Sequence, residues 1–360
     1  MSHSLLEPES LVSAFLAHPP AGFTPLEMTA GGCEILGFVT KFDLTTTLDP
    51  PVKKMMQKVP LLPRIASSIR PRTLFIGTTV SEYLPFTVGA DADAVVVAVL
   101  GEMKRQDAAF AIFKDIPRES PLLGPAENRA AAELGAACRR HGFEILSGQA
   151  LAYVPIDFAS EDEYLSKLSR GRRKDLRRKL RGRALLEVRE LRTGDVAFDD
   201  ALVDSLFRLY QNVYAQSLIH FDELSKGFFR AVLRQNGGVV FFYHRDGELI
   251  GFNLCFVHGG RLVDKYVGFA YPQARDENLY FVSWFQNLDW ARRRGLKEYV
   301  AGWTDPEVKS ALGARFTFTD HAVYARSTVL RFALHRLRPL FESDANWAAG
   351  EDHGNERAAS

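Results

Sequence analysis

The sequence predicts a mixed α/β (α+β) chain made of two similar blocks, and three observations carry that prediction. In the second half, apolar residues switch between strand and helix periods and give the order β-α-α-β-β-β-α-β-α-β. The pair Asp246-Gly247 lies between two β-rich runs, a strong hairpin signal because glycine accepts the positive φ of the turn. A helix-glycine-strand text also occurs twice, as Arg139-Arg140-His141-Gly142-Phe143 and Arg293-Arg294-Gly295-Leu296, with Gly148 near where Gly302 falls.

Length and composition narrow the classes. At roughly 150 residues per domain, a chain of 360 residues suits two domains. Its 46% hydrophobic and 25% charged residues exclude a disordered or collagen-like polymer. Lys+Arg 45 against Asp+Glu 44 leaves a net charge of +1, so no DNA partner is expected and any polyanion or membrane bias has to be local. Cys33, Cys138 and Cys255 stand far apart, in neither a disulfide framework nor a metal-ligand spacing. That usage suits a reducing compartment. The start, MSHSLLEPES, lacks a basic region and carries Glu7 and Glu9, unlike a signal peptide. The longest apolar runs, such as Ala94 to Leu100, are strand-sized, so no membrane span is expected. The expectation is a cytoplasmic protein whose residues 341–360 form a disordered polar tail.

In the first block, Ala94 to Leu100 and Ala109 to Phe113 read as a hairpin turning near Arg105-Gln106-Asp107. A helix from Ala126 to Arg140 and the strand FEIL follow. In the second block, Ala184 to Leu191 alternates as a half-buried strand. Leu202, Leu206, Leu209 and Val213 then mark a helix over Asp199 to Gln216. Asp222 and Glu223 open a second helix that ends by Gly237. Strands Val239 to Tyr243, Leu249 to Val257 and Arg261 to Phe269 come next. A helix from Glu277 to Arg294 ends at Gly295. Strand Tyr299 to Ala301, a helical turn Pro306 to Leu312 and a β region Arg315 to Ala325 complete the block. The boundary is expected near Ser160, with domains 1–160 and 161–340.

The basic run LSRGRRKDLRRKLR, the strand DKYVGF, the helix ending WARRRG and the stretch Glu307-Val308-Lys309-Ser310-Ala311-Leu312-Gly313 carry a resemblance. Over Ser160 to Ala325 the chain resembles the GNAT acyltransferase fold. Two such blocks resemble the tandem-GNAT Fem-type aminoacyl transferases and the BioF2-like acetyltransferases. The resemblance implies two GNAT-like domains, each a mixed twisted sheet flanked by helices, the first of them degenerate. It implies an N-acyltransferase that moves an acyl group from a donor to a primary amine of a small molecule or cell-envelope precursor. Acyl-CoA is the family's usual co-substrate, with no group bound permanently. An aminoacyl-tRNA donor and an inactive polyanion-binding scaffold are the alternatives.

Amine attack on an ester or thioester needs an oriented donor, a neutral amine and a positive or hydrogen-bonding group at the oxyanion. In Fem-type enzymes the lysine of the element matched by Lys309 stabilises developing negative charge, and the resemblance gives Lys309 that role. His220 has the pKa range to deprotonate the incoming amine, and Tyr214 and Ser217 share its loop. Asp264 and Tyr266 share a face by the period of two, as core network or cleft lining. Trp303 and Thr304 end the following strand. The family's Gly-rich pyrophosphate loop is replaced by Tyr271-Pro272-Gln273-Ala274-Arg275-Asp276-Glu277-Asn278, with carboxylates where phosphate would sit. Glu277 and Asn278 are therefore candidates for facing an amine acceptor. Arg172, Arg173 and Arg177 are the phosphate-binding candidates of the basic run, which as a helix leaves Leu168, Leu176 and Leu180 for packing.

Overall fold

The computed structural model describes residues 6–43, 70–217 and 221–337. In chain order its elements are α1 (Glu9–Ala17), β1 (Thr24–Ala30), β2 (Cys33–Lys41), β3 (Arg72–Ile76), α2 (Ala92–Arg105), β4 (Phe110–Arg118), α3 (Pro125–Arg140) and β5 (Glu144–Pro155). There follow α4 (Glu161–Ser166), α5 (Arg170–Lys179), a 3-10 turn (Leu180–Leu185), β6 (Glu187–Arg192), α6 (Asp200–Tyr214), α7 (Lys226–Leu233), β7 (Gly238–Arg245), β8 (Glu248–His258) and β9 (Arg261–Phe269). The last are α8 (Gln273–Asp276), α9 (Leu279–Arg293), β10 (Glu298–Gly302), α10 (Pro306–Ala311), β11 (Arg315–Ala325) and α11 (Thr328–Leu337).

Two compact units result. Of the described residues, one holds those within 22–150 and 317–337; the other holds those within 6–21 and 151–316. In the first the strand order is β1-β2-β3-β4-β11-β5, and in the second β5-β10-β9-β8-β7-β6. Each contains one parallel pair, β3 with β4 and β9 with β10, joined by a crossover helix, α2 or α9. The pairs β1–β2, β2–β3, β4–β11, β5–β10, β6–β7, β7–β8 and β8–β9 are antiparallel. The first core lies between the sheet residues Ile35, Leu74, Phe113 and the helix residues Val96, Val99, Leu134. The second lies between Phe241, Cys255, Leu262, Tyr299 and the α9 residues Val282, Phe285, Leu288.

The expected boundary near Ser160 differs from this division, because segments are exchanged. Glu7 pairs with Lys265, and Ser225 Oγ donates to the His18 carbonyl, which fixes the N-terminal segment to the second unit. β11 pairs with β4, which takes the last strand to the first unit. These are long-range pairings with no local signature. The expected tail, 341–360, lies outside the described residues.

The hairpin expected at Ala94 to Leu100 is instead the middle of helix α2. Asp91 caps it by accepting from the Ala94 amide, and Lys104 and Arg105 complement its C-terminal end. Val95, Val96, Val99 and Met103 are buried at helical spacing, whereas Val97 is exposed. A seven-residue apolar run does not by itself separate strand from buried helix. The repeat accordingly has another register: β1-β2-β3-α2-β4-α3-β5 matches β7-β8-β9-α9-β10-α10-β11. α3 corresponds to α10, not to α9, so the repeated Arg-Arg-Gly text joins helices that are not equivalent. In the second block of the sequence β9 and β11 span the expected residues. α7 begins after its Ser225 cap instead of at Asp222, and Asn278, at φ 51°, separates α8 from α9.

Candidate active site

The parallel strands β9 and β10 pair only at Glu298↔Arg261, Tyr299↔Leu262 and Val300↔Val263. Beyond Val300, β10 bulges and Gly302 pairs with Ala152, while the rest of β9 pairs with β8 alone. The carboxyl ends of the two strands therefore fork, a place where open α/β sheets bind ligands.

Lys309 reaches into this fork. It lies on α10, whose Pro306 starts the helix and whose preceding Asp305 has φ 56°. Tyr164 donates its hydroxyl to the Leu312 carbonyl and so ties down the end of the helix. Lys309 is only 4% exposed, and its Nζ donates to the carbonyls of Ala301 at 2.7 Å and Gly302 at 3.0 Å. A buried ammonium is costly unless it is paired and bonded. Here the strand end supplies the acceptors and fixes the charge at the fork.

Asp264 is the first β9 residue past the last pair with β10. Its carboxylate accepts from Asn253 Nδ2 at 2.9 Å, Asn287 Nδ2 at 2.8 Å and the Tyr299 hydroxyl at 3.0 Å, with Cys255 Sγ at 3.5 Å. All four partners are buried. Desolvation raises the Asp264 pKa, while the hydrogen bonds from Asn253, Tyr299 and Cys255 and the Lys309 charge oppose the rise. Burial likewise pushes the Tyr299 hydroxyl and the Cys255 thiol up.

Asp264 and Tyr266 do not share a face. The register runs Cys255↔Asp264 and then Leu254↔Tyr266, leaving Lys265 as an extra residue. This bulge breaks the alternation. Asp264 meets Asn287 of α9, while the Tyr266 ring packs on Tyr210, Phe228 and Phe229 of α6 and α7. A bulge leaves no mark in apolar patterning, so the period of two misplaced Tyr266.

The other candidates are spread out. Tyr214 ends α6 beside Tyr210, and burial with Asp222 and Glu223 nearby pushes its pKa to about 12. The Ser217 amide donates to the Tyr214 carbonyl. His220 lies outside the described residues. Glu277 is ion-paired with Arg245 at 3.4 Å, so it does not present a bare carboxylate to an amine. Asn278 serves as the left-handed junction before α9. Trp303 is half-buried and Thr304 exposed, just past β10.

The glycine-free loop is closed on itself. The amides of Ala274, Arg275, Asp276, Glu277 and Asn278 donate to the carbonyls of Ala270, Pro272, Pro272, Gln273 and Arg275. The amides from Ala274 to Asn278 are therefore already bonded and do not face a pyrophosphate as bare donors. The basic helix α5 packs near this point: Lys179 lies over the Phe281 ring at 3.8 Å, and Gly182 faces Glu277. Leu176 and Leu180 are buried as expected. The three arginines separate, however. Arg173 donates to the carbonyls of Ser166 and Leu168, Arg177 pairs with Asp162, and Arg172 is exposed. Arg170 and Lys174 are also exposed.

Some residues of interest carried no signal in the sequence. Asn253 and Asn287 hold Asp264 from a neighbouring strand and a helix. Tyr280, in the first turn of α9, has a buried hydroxyl without a hydrogen-bond partner, and burial raises its pKa with Asp305 and Asp264 adding to the rise. The first unit has its own break at the matching place. β3 and β4 pair up to Ile76↔Phe113, Asp115 then takes φ 58°, and its amide donates to His321 Nδ1 at 3.1 Å. Among the described residues no cluster of His, Cys, Asp or Glu is suited to hold a metal ion.

His321, His244 and His258 all have pKa values lowered, first by burial. Around His321, Lys114 lowers the pKa further, while Asp115 and Asp320 oppose it. The unfolded chain therefore binds these protons first. Stability is expected to fall as pH drops from about 7 through the usual histidine pKa toward about 5. His321→Gln should flatten that fall in thermal melts across pH; an unchanged profile would remove His321 as a contributor.

Residues 170–310 match the family model described as an acetyltransferase (GNAT) domain. The fold is similar to the C-terminal domain of a protein from Agrobacterium fabrum described as a lysylphosphatidylglycerol synthetase (TM-score 0.52, 14% identity, 91% of this chain and 89% of that one). It is also similar to L-PGS from Bacillus licheniformis (TM-score 0.52, 12% identity, 93% and 98%). FemX gives TM-score 0.54 at 11% identity, with 92% and 98% covered. At these identities the likeness shows the fold. No curated protein sequence matches.

Proposed function

We infer that this chain, a GNAT-superfamily acyltransferase with its GNAT domain at residues 170–310, transfers an acyl group to a primary amine at the β9–β10 fork. The observation that carries this reading is the buried Lys309 ammonium, fixed on the Ala301 and Gly302 carbonyls where the strands part. The amine nitrogen bonds to the acyl carbon and the carbonyl oxygen becomes an oxyanion; as the C=O bond re-forms, the bond to the donor's sulfur or oxygen breaks and the proton lost by the amine nitrogen ends on that departing atom. Lys309 meets the negative charge on the oxygen. The same placement speaks against an inactive scaffold, for which a buried charge is only a cost.

For the donor, the closed α8 turn disfavours the pyrophosphate of acyl-CoA at that loop, because its amides are already bonded. Exposed Arg170, Arg172 and Lys174 on α5 favour a donor held by many phosphates. This supports the aminoacyl ester of a charged tRNA over acyl-CoA. The test incubates the protein with labelled aminoacyl-tRNA or labelled acetyl-CoA and a panel of amines. Amine acylation that requires aminoacyl-tRNA is expected. Efficient transfer from acetyl-CoA alone overturns the donor, and transfer from neither overturns the reaction.

Arg172→Glu with Lys174→Glu should raise KM for the donor about tenfold at low salt and lower the salt slope by about two. Arg173 and Arg177 are less clean probes, because both have structural partners. Equal KM and slope would return the helix to a solvated surface.

A further inference from the structure

Helix α11 is turned with apolar side chains outward. Of the eight large apolar residues exposed among the described residues, three stand together here: Val329 at 76%, Leu330 at 40% and Phe332 at 64%. Phe332 is the one aromatic among those eight. The polar side chain between them points inward. Arg331 lies over the Tyr324 ring at 5.2 Å and donates to the Tyr324 hydroxyl and to Thr328 Oγ1. Val329, Phe332 and Arg336 follow one helix face at i, i+3 and i+7. The Arg336 guanidinium stands 5.5 Å from the Phe332 ring. No acidic residue occurs from Arg326 to Phe341, a stretch that carries Arg326, Arg331, Arg336 and Arg338; Arg326, ahead of α11, is ion-paired with Asp107, and Arg336 is the exposed charge on the described part of the helix.

We propose that α11 is a membrane-surface anchor that lays Val329, Leu330 and Phe332 into the headgroup boundary of an anionic phospholipid bilayer. Exposed apolar side chains clustered on one turn mark an interaction surface. The choice of occupant comes from charge. A basic, acid-free helix with an outward apolar face matches anionic headgroups above an apolar layer. Arg336 beside Phe332 has the long stem needed to keep its charge among headgroups while the ring sinks. No helix in the described residues is long and apolar enough to cross a membrane, so the contact is with the surface. The inference rests on α11 alone and does not depend on the acyl donor.

The experiment is co-sedimentation of the full chain with vesicles of phosphatidylcholine alone or with about one-third phosphatidylglycerol, at two salt concentrations. Binding to the anionic vesicles is expected to exceed binding to the neutral ones about tenfold and to weaken with salt. Val329→Ser with Phe332→Ser should lower it about tenfold, and Arg336→Glu about fivefold or more. The substituted side chains are exposed, and unchanged circular dichroism and melting would show the fold is kept. Absence of wild-type binding, or equal binding by the serine variant, overturns the anchor. Light scattering that shows a dimer made monomeric by the serine substitutions also overturns it and assigns the face to a second copy.

Discussion

Lys309→Met is expected to lower kcat about a hundredfold or more and to leave KM nearly unchanged. The ammonium meets charge that exists fully only in the tetrahedral transition state, so its loss falls on the chemical step. Met keeps much of the stem, so the space filled by the buried side chain stays occupied. The carbonyls of Ala301 and Gly302 lose a charged donor, which costs about 1–3 kcal/mol of stability. Lys309→Arg should rescue poorly, because a planar guanidinium does not fit a site shaped for a compact ammonium. Steady-state kinetics with a melting curve for each variant separates the two effects. Turnover within about threefold of the parent would remove Lys309 from the chemistry.

Asp264→Ala is expected to cost about 3–5 kcal/mol of folding stability. The substitution orphans the amides of Asn253 and Asn287 and the hydroxyl of Tyr299, all in buried residues, and opens a void among them. It also takes away a negative charge felt near Lys309, so activity should fall even where the protein remains folded. Asp264→Asn keeps the volume and one acceptor oxygen and should lose less stability. Urea denaturation followed by fluorescence gives the difference. A loss below about 1 kcal/mol for Asp264→Ala would mean that the network is held by its other members.

Much of the second block was legible because its elements are marked locally. The Asp246-Gly247 turn, the apolar stripe of α6 and the glycine after α9 each act within a few residues. Lys309 was singled out through the motif that carries the resemblance. The first block was not legible, since Val95, Val96 and Val99 suit either period over so short a run, and the Asp91 cap lies just outside it. The Asp264–Tyr266 pairing failed for a different reason. Lys265 adds one residue to β9, and only the register against β8 reveals it.

By itself, the sequence determined the order of strands and helices in the second block, a basic helix and a glycine-free loop where the resemblance calls for glycines, and it singled out Lys309. These follow from side-chain period, charge and turn chemistry, which are short-range. Only the tertiary structure decided that the units exchange segments, that the loop amides are already spent, that Arg173 and Arg177 are tied to neighbours while Arg172 is exposed, and that Asp264 sits in a cage of donors near Lys309. Each depends on pairing between residues far apart in the chain, such as Asp264 with Asn287 and Tyr299. The sequence pattern records that a group is polar and on which period it falls; the fold decides which buried partner satisfies it.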